Sequence, residues 1–559
     1  MGLKTTRVNF YQRLFFWSIL VFAFFIRCIF LSDIPTGVNQ DEAMAAVDAL
    51  ALSNHGTDRY GMQWPVHFQA WRYGQMSVLL SYCMIPFIKT IGFSTVAVRI
   101  PMVLASVGGI ALIYLSARKL FSNNMALMVM AFAAINPWHF MQSRWSLDCN
   151  LFPHVFLLGF YLLLCGLEKR KYLYLSMVFF GLTFYCYGIA VYSVPVFLLV
   201  YAIWCLWKKE FSLKDILISM GIFLLVALPE ILTMLINMFQ LSSIETAWFT
   251  IPYFPESIRS QDILLINFSF RQLAINIWCM IRQVFLQRPD YIYNALPFFG
   301  PMYHISTPFM CLGIVLFTLR FLTSAKKAYD KAITRQMTLD LALLGFLCVG
   351  FWAGAVTYRV NINRINIIFY PLMFFAVYGM MATIEYLTLW LGKTREVFIT
   401  NNVAVQRVLT TAFLAVYSIS GIVFFSQYFR SFPDQIKTMF HADFLAVVKE
   451  ADKLEDYETL YITSNMGWQN SKQISEILTQ YSCQIDALYY QGLTNETEGR
   501  TLPSYHERYC FTDLGDYVPV DRDALYVIAR GELAAIESVC TDGYDVIVQH
   551  GDYLAVDIK

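Results

Sequence analysis

Two acidic side chains stand next to each other in the stretch Ile34–Pro35–Thr36–Gly37–Val38–Asn39–Gln40–Asp41–Glu42–Ala43, ahead of an apolar helical pattern that closes at His55–Gly56. Asn39 followed three residues later by Glu42 spells a capping box, and acids favour a helix N-terminus, which accounts for Glu42 without chemistry. Asp41 is not needed for that box. A carboxylate so placed is suited to act as general base toward a hydroxyl. A second acid closes Ser143–Arg144–Trp145–Ser146–Leu147–Asp148. The plain reading of this stretch is a solvated loop with one ion pair. The chemical reading has Asp148 supporting the base, orienting a substrate hydroxyl or helping to hold a cation.

Arginines form the third group. Arg359 and Arg364 flank Tyr358–Arg359–Val360–Asn361–Ile362–Asn363–Arg364, while Arg27, Arg271, Arg282 and Arg288 lie near or in other loops. The guanidinium fork matches phosphate oxygens, so Arg144, Arg359 and Arg364 are candidates for an anionic substrate, with Arg364 preferred. Arg27 is read as snorkelling to lipid headgroups. Tyr185, Tyr187 and Tyr192 surround a tight turn at Gly188. Membrane-interface anchoring explains them, and a substrate-facing role for Tyr187 would look the same in sequence.

The elements that must position these residues are set by composition. Of 559 residues 57% are hydrophobic and 14% charged, which is too apolar for a soluble domain. The 41 Lys+Arg against 40 Asp+Glu leave a net charge of +1, which disfavours a nucleic-acid binder. Apolar runs of spanning length predict about eleven transmembrane helices, near 14–31, 98–116, 125–142, 150–167, 172–188, 190–207, 214–236, 304–322, 338–356, 366–386 and 408–427. Lys4, Arg7 and Arg13 precede the first run and no cleavage site follows it, so it is expected to stay as an anchor.

A further run at 75–93, containing Pro86 and Lys89, is assigned as an interfacial or re-entrant helix on the outer face. With it left out of the count, Arg118–Lys119, Lys169–Arg170–Lys171, Lys208–Lys209, Lys326–Lys327–Lys331–Arg335 and Lys393–Arg395–Arg407 all fall inside with the N-terminus. The outer loop 32–97, Asp148 and a C-terminal domain then share the other side. Residues 1–433 form the membrane domain and 434–559 a soluble extracytoplasmic α/β domain. Its strands are expected at Thr459–Thr463, Ala524–Ile528 and Tyr544–Gln549, and its helices at Ser471–Tyr481 and Glu532–Cys540. Such a domain is expected to be an autonomous core whose removal leaves the membrane part folded. Its Cys483, Cys510 and Cys540 allow one disulfide with one thiol left over.

With the acid pair, Arg99–Ile100–Pro101, Ala117–Arg118–Lys119–Leu120–Phe121, Asn136–Pro137 and Ser143–Arg144 with Asp148, the chain resembles the C-type-fold membrane glycosyltransferases. That group holds the protein O-mannosyltransferases and the aminoarabinose transferases of lipid A, and the family 39-like members resemble this chain most. The resemblance covers residues 10–210 well and 355–386 loosely, through Asn363–Arg364. It implies a polyprenyl-phosphate-linked sugar as donor, a lipid, glycan or protein acceptor, and transfer with inversion on the outer face of the plasma membrane. By position, Asp41 would be the catalytic carboxylate, Glu42 its neighbour and Asp148 the second acidic site residue. Arg144 and Arg364 would meet the phosphate. The family includes metal-dependent and metal-independent members, so a divalent cation stays open.

The main rival is a transporter or flippase of lipid-linked sugars, for which Glu230 beside Pro229, and Asp340, are the acids within spans. A polysaccharide polymerase or ligase would lean instead on Arg288 and His304.

Overall fold

The computed structural model describes residues 2–70, 75–255, 263–264, 266–325, 331–394, 402–467, 470–497, 500–540 and 543–559. Lys326, Lys327 and Arg395 of the basic clusters lie outside these residues. The chain opens with α1 (Gly2–Cys28), then α2 (Gln40–His55), a short hairpin of β1 (His67–Phe68) and β2 (Met76–Ser77), and α3 (Leu79–Ile91). The helices α4 (Thr95–Leu120), α5 (Asn123–Ile135), α6 (Pro137–Met141), α7 (Asp148–Gly166), α8 (Arg170–Leu182), α9 (Ala190–Trp207) and α10 (Leu213–Phe239) follow. A second hairpin, β3 (Ile244–Glu245) and β4 (Thr250–Ile251), precedes α11 (Phe270–Met280), α12 (Ser306–Ala325), α13 (Lys331–Val356), α14 (Ile362–Ile365), α15 (Phe369–Thr394) and α16 (Asn402–Arg430).

Among the described residues nine helices are long and apolar enough to cross a membrane, with α1, α4, α7, α9, α10, α12, α13, α15 and α16 carrying them. The chain is thus a polytopic α-helical membrane protein. Two of the runs expected to span are shorter. The α5 helix has thirteen residues and stops where Asn136 is followed by Pro137, whose ring cannot continue the backbone ladder. The α8 helix also has thirteen and runs on into a tight turn at Thr183–Tyr185. The doubtful run 75–93 forms α3, thirteen residues with Pro86 inside, about 20 Å long at 1.5 Å per residue. That is too short for the hydrocarbon core. Where α12 crosses α15, Gly313 and Gly379 lie directly against the carbonyls of Phe375 and Phe309, so small residues set the approach of the two helices.

After α16 come α17 (Phe432–Ile436), α18 (Ala442–Ala451), β5 (Thr459–Thr463), α19 (Lys472–Ser482), α20 (Ala487–Tyr490), a hairpin of β6 (Glu496–Thr497) and β7 (Arg500–Thr501), and α21 (Tyr505–Arg508). The chain ends with β8 (Tyr509–Thr512), β9 (Ala524–Ala529), α22 (Leu533–Val539), β10 (Tyr544–His550) and β11 (Tyr553–Ile558). Five strands form one sheet in the order β10–β11–β9–β5–β8, with β5 parallel to β8 and β9, and β11 antiparallel to its neighbours. All three expected strands and both helices are present. Cys483, Cys510 and Cys540 are unpaired thiols.

One hydrophobic cluster, with Leu514, Tyr526, Ile536 and Val556, belongs to this unit alone, while other buried residues of it pack with the membrane part. Buried residues of α18, α19 and β5 belong to the same continuous hydrophobic cluster as those of α2, α4 and α7. The Val38 N–H donates to the Phe440 carbonyl (2.7 Å), Gln491 Nε2 donates to the Arg59 carbonyl (3.1 Å), and His55 Nε2 lies 2.8 Å from Asp486 Oδ2. The C-terminal unit therefore holds α2 from above while the bundle holds it from below.

Candidate functional site

Adjacent in sequence, Asp41 and Glu42 lead different lives. Asn39 is the N-cap of α2, and its side chain accepts from the Asp41 N–H (3.0 Å). Glu42 does not complete a capping box. It turns inward and is fully buried, accepting from Arg99 Nε (3.0 Å) and the Ser146 N–H (2.7 Å) on Oε1 and from Arg99 Nη2 (3.1 Å) on Oε2. The remaining N–H groups of Arg99 go to the carbonyls of Leu31 (3.1 Å), Pro35 (3.0 Å) and Gly37 (2.7 Å). This fork fixes the loop that delivers Asp41, and Glu42 has no oxygen turned toward a substrate. Asp41, one residue earlier on the helix, is half-buried at the first turn, where the helix dipole favours a carboxylate.

Arg144, expected to meet a phosphate, is buried and its donors are occupied. Nε donates to the Tyr428 hydroxyl (3.2 Å), Nη1 to the Arg27 carbonyl (2.7 Å), and Nη2 to the carbonyls of Ile29 (2.8 Å) and Ile34 (2.8 Å). It caps the otherwise unsatisfied end of α1 and ties it to α16. The same residue types in a loop at this depth spelled ligand binding; the free carbonyls of a helix end are what claimed them.

Around Asp41 stands a cluster that the sequence reading missed. Phe440, whose carbonyl holds Val38, packs its ring 5.3 Å from Trp145 and 6.3 Å from Tyr293. Trp145 and Tyr293 meet edge to face at 5.5 Å, and Tyr293 stacks on Tyr291 at 5.1 Å with the planes 9° apart. Burial first, and then the charges of Tyr291, Asp290, Asp41 and Cys149, push the Tyr293 hydroxyl upward from the ordinary tyrosine range. The available signal was the run Asp290–Tyr291–Ile292–Tyr293 in the long loop after α11.

Several buried polar atoms near this cluster lack partners. Among the described residues, Gln40 Oε1, Gln142 Oε1, Trp145 Nε1, Asn150 Nδ2, Asn363 Oδ1 and Asn366 Oδ1 are buried and make no hydrogen bond. They are linked by contacts. Gln142 Nε2 donates to Asn294 Oδ1 (3.1 Å), Asn294 Nδ2 to Asp290 Oδ1 (3.0 Å), and the Ile362 N–H at the start of α14 to Asp290 Oδ2 (2.7 Å). Asn366 Nδ2 donates to the Cys149 carbonyl (2.6 Å), beside Asp148.

Asp148 is 6% exposed at the first turn of α7. Phe152, one turn on and on the same face, contacts the half-buried Tyr187 ring at 6.5 Å. Arg364 is half-buried in α14, whose N-cap Asn361 accepts its N–H (2.9 Å). Asp41, Asp148, Tyr187 and Arg364 therefore lie at the same end of the bundle, joined through Tyr293, Cys149 and Asn366. Arg359 is exposed, with its guanidinium 5.8 Å from the ring of its neighbour Tyr358.

Beneath this layer Arg27 does not snorkel. It is fully buried and donates to the carbonyls of Ala23 (3.1 Å) and Ala134 (3.2 Å) and, through Nη2, to His139 Nδ1 (3.0 Å). A guanidinium only donates, so His139 Nδ1 is the acceptor and Nε2 carries its proton toward the Tyr370 hydroxyl (3.0 Å). That hydroxyl in turn donates to His154 Nδ1 (2.6 Å). Gly109 makes room for this node, since a Cβ there would strike both the Tyr370 hydroxyl and His154. The acids that a transporter would use are paired locally: Glu230 with His67 Nδ1 (3.0 Å) and Asp340 with Arg320.

Asp48 Oδ2 on α2 accepts from Arg59 Nη1 of the following loop (2.7 Å), and Asp58 beside that arginine accepts the N–H groups of Tyr60 (3.0 Å) and Met62 (2.8 Å). Burial, then the charge of Asp48, raise the Asp58 carboxyl to about 7. Among the described residues no group of three or more His, Cys, Asp or Glu side chains is disposed to hold a metal ion.

Residues 77–233 match the family model described as dolichyl-phosphate-mannose-protein mannosyltransferase, a span that includes α3 to most of α10 and contains Asp148 but not Asp41. No curated protein matches the chain in sequence. Among solved structures it is similar to ArnT from Cupriavidus metallidurans bound to undecaprenyl phosphate, at 14% identity and a TM-score of 0.55 over 98% of this chain and 97% of that one. It is also similar to the oligosaccharyltransferase of Archaeoglobus fulgidus tethered with an acceptor peptide, at 13% identity and a TM-score of 0.53 over 93% of this chain and 70% of that one. The chain is a membrane protein that shares the fold of these membrane glycosyltransferases, and its residues 77–233 are similar to the dolichyl-phosphate-mannose-protein mannosyltransferase family model.

Proposed function

We propose that the protein is a membrane glycosyltransferase that moves a sugar from a polyprenyl-phosphate-linked donor to a hydroxyl acceptor on the outer face of the plasma membrane, with inversion. The observation that carries the reading is the gathering of Asp41, Asp148, Tyr187 and Arg364 at one end of the bundle, in a fold shared with a protein crystallised with undecaprenyl phosphate. In this reading Asp41 takes the acceptor proton as the acceptor oxygen attacks the anomeric carbon. The carbon–oxygen bond to the phosphate breaks, and polyprenyl phosphate leaves with the electron pair. Arg364 faces the charge that develops there, and Asp148 and Tyr187 border the sugar. Glu42 and Arg144 act by holding the Asp41 loop.

Two features support it. An apolar groove of about 520 Å³ lies between α9, α11 and α13, lined by Val200, Ile277, Met280, Val349 and others. Its helices α11 and α13 lead directly into the loops of Tyr293 and Arg364, so a lipid tail in the groove would bring its phosphate to the site. The basic residues Arg118–Lys119, Lys169–Arg170 and Lys208–Lys209 lie at helix ends remote from α2, which favours an N-terminus inside and the C-terminal unit outside.

The test uses purified protein and a panel of radiolabelled polyprenyl-phosphate sugars. Release of polyprenyl phosphate by the parent, with loss of at least about a hundredfold in Asp41→Asn and unchanged donor binding, is expected. Donor binding without turnover by the parent across acceptor classes would count against a transferase.

A further inference from the structure

The aromatic cluster beside Asp41 grades from core to solvent. Phe440 is fully buried, Trp145 is 2% exposed, and Tyr291 is 45% exposed. The exposed member lies in a loop, outside the nine long apolar helices found among the described residues. Its ring is stacked flat on Tyr293, which holds it as a platform, and the platform starts at Phe440, whose carbonyl pins the turn before Asp41. At its inner edge Trp145 Nε1–H and Gln142 Oε1 are buried, with no hydrogen-bond partner among the described residues.

A flat aromatic face bordered by one unpaired donor and one unpaired acceptor suits a pyranose. Its C–H face packs on an aromatic ring while its rim of hydroxyls both donates and accepts. An extended peptide would be held by main-chain pairing at a strand edge. No strand runs through residues 286–303, which carry the platform. We propose that Tyr291 and Tyr293 form the floor of an acceptor subsite for a saccharide ring, with the Trp145 indole N–H donating to one of its hydroxyls. The substrate class follows: the acceptor of the reaction proposed above, on which this inference rests, is a glycan or a glycosylated lipid.

The experiment uses the full-length protein in detergent with two probe panels, fluorescently labelled neutral oligosaccharides and labelled Ser/Thr-containing peptides, and separately undecaprenyl phosphate. At least one oligosaccharide is expected to bind the parent. Tyr291→Ala should weaken it about five- to tenfold, as loss of one stacking contact does. Tyr291→Phe, which keeps the ring, should stay within about twofold. Undecaprenyl phosphate binding should be equal in all three, which also shows that the variants are folded. Oligosaccharide binding unchanged by Tyr291→Ala overturns the proposal, and so does a parent that binds no oligosaccharide, whether or not peptides bind. Failure of the transferase reading itself is seen elsewhere, as absent release of polyprenyl phosphate from labelled donors.

Discussion

Replacing Glu42 by Gln separates the two neighbouring acids by what each is for. The carboxylate of Glu42 receives both an Arg99 fork and the Ser146 N–H, with no exposure to solvent on either partner of the ion pair. Removing one charge of a buried pair leaves the other uncompensated, at about 3–5 kcal/mol. An amide oxygen in the place of Oε1 can still accept two of the three hydrogen bonds, so the low end, about 3 kcal/mol, is expected for Glu42→Gln. Asp41→Asn keeps the backbone hydrogen bond to Asn39, loses the favourable helix-dipole contribution of the charge and should cost about 1 kcal/mol or less. The assay is tryptophan-detected thermal unfolding in detergent, with polyprenyl phosphate release measured on the same samples. Glu42→Gln should melt several degrees lower and lose turnover together with structure, while Asp41→Asn should melt with the parent and lose turnover alone. A Glu42→Gln protein that melts with the parent, or an Asp41→Asn protein that melts as low as Glu42→Gln, would refute the division of roles.

Three further outcomes are expected. The Asp58 carboxyl, raised to about 7 in the folded protein by burial and the charge of Asp48, binds more protons folded than unfolded between about pH 4 and 7. Stability should therefore fall as pH rises through that window, and Asp58→Asn should flatten the slope seen in melting at pH 4.5, 6 and 7.5. Gly109→Ala should push the Tyr370 hydroxyl away from His154, breaking the chain from Arg27, and lower stability by about 2 kcal/mol, read by thermal unfolding. Truncation at residue 433 should leave membrane insertion intact yet expose the 37–70 segment to limited proteolysis, because Phe440, Asp486 and Gln491 no longer hold it. Equal protease resistance of truncated and full-length protein would show that the membrane part suffices.

The membrane helices and the terminal α/β unit were legible because their signals are local: apolar run length, alternation, and basic residues at helix ends. The helix start at Asn39 was legible for the same reason. What escaped were partners distant in sequence. Nothing near Glu42 announces Arg99, and the carbonyls that fill Arg144 belong to a helix end more than a hundred residues earlier. Burial inverted both expectations, since a charge removed from water must be satisfied inside. The Tyr291–Tyr293 pair was readable as a motif, but not as a neighbour of Asp41, because only the return of Phe440 to Gly37 joins the two loops. Exposure likewise distinguishes Arg359 from Arg364, the arginine that the sequence already favoured.

The hydrogen bond from Val38 to Phe440 bears on how the protein is made. A ribosome has finished the Asp41 turn some four hundred residues before it supplies the residue that pins it. Until then the acid sits on a half-anchored loop in the translocating chain, and a prematurely terminated product carries every membrane-facing residue of the site without the clamp. On the proposed function, such a fragment would lack the geometry for reaction, and competence would come late in biosynthesis, as the last segment docks.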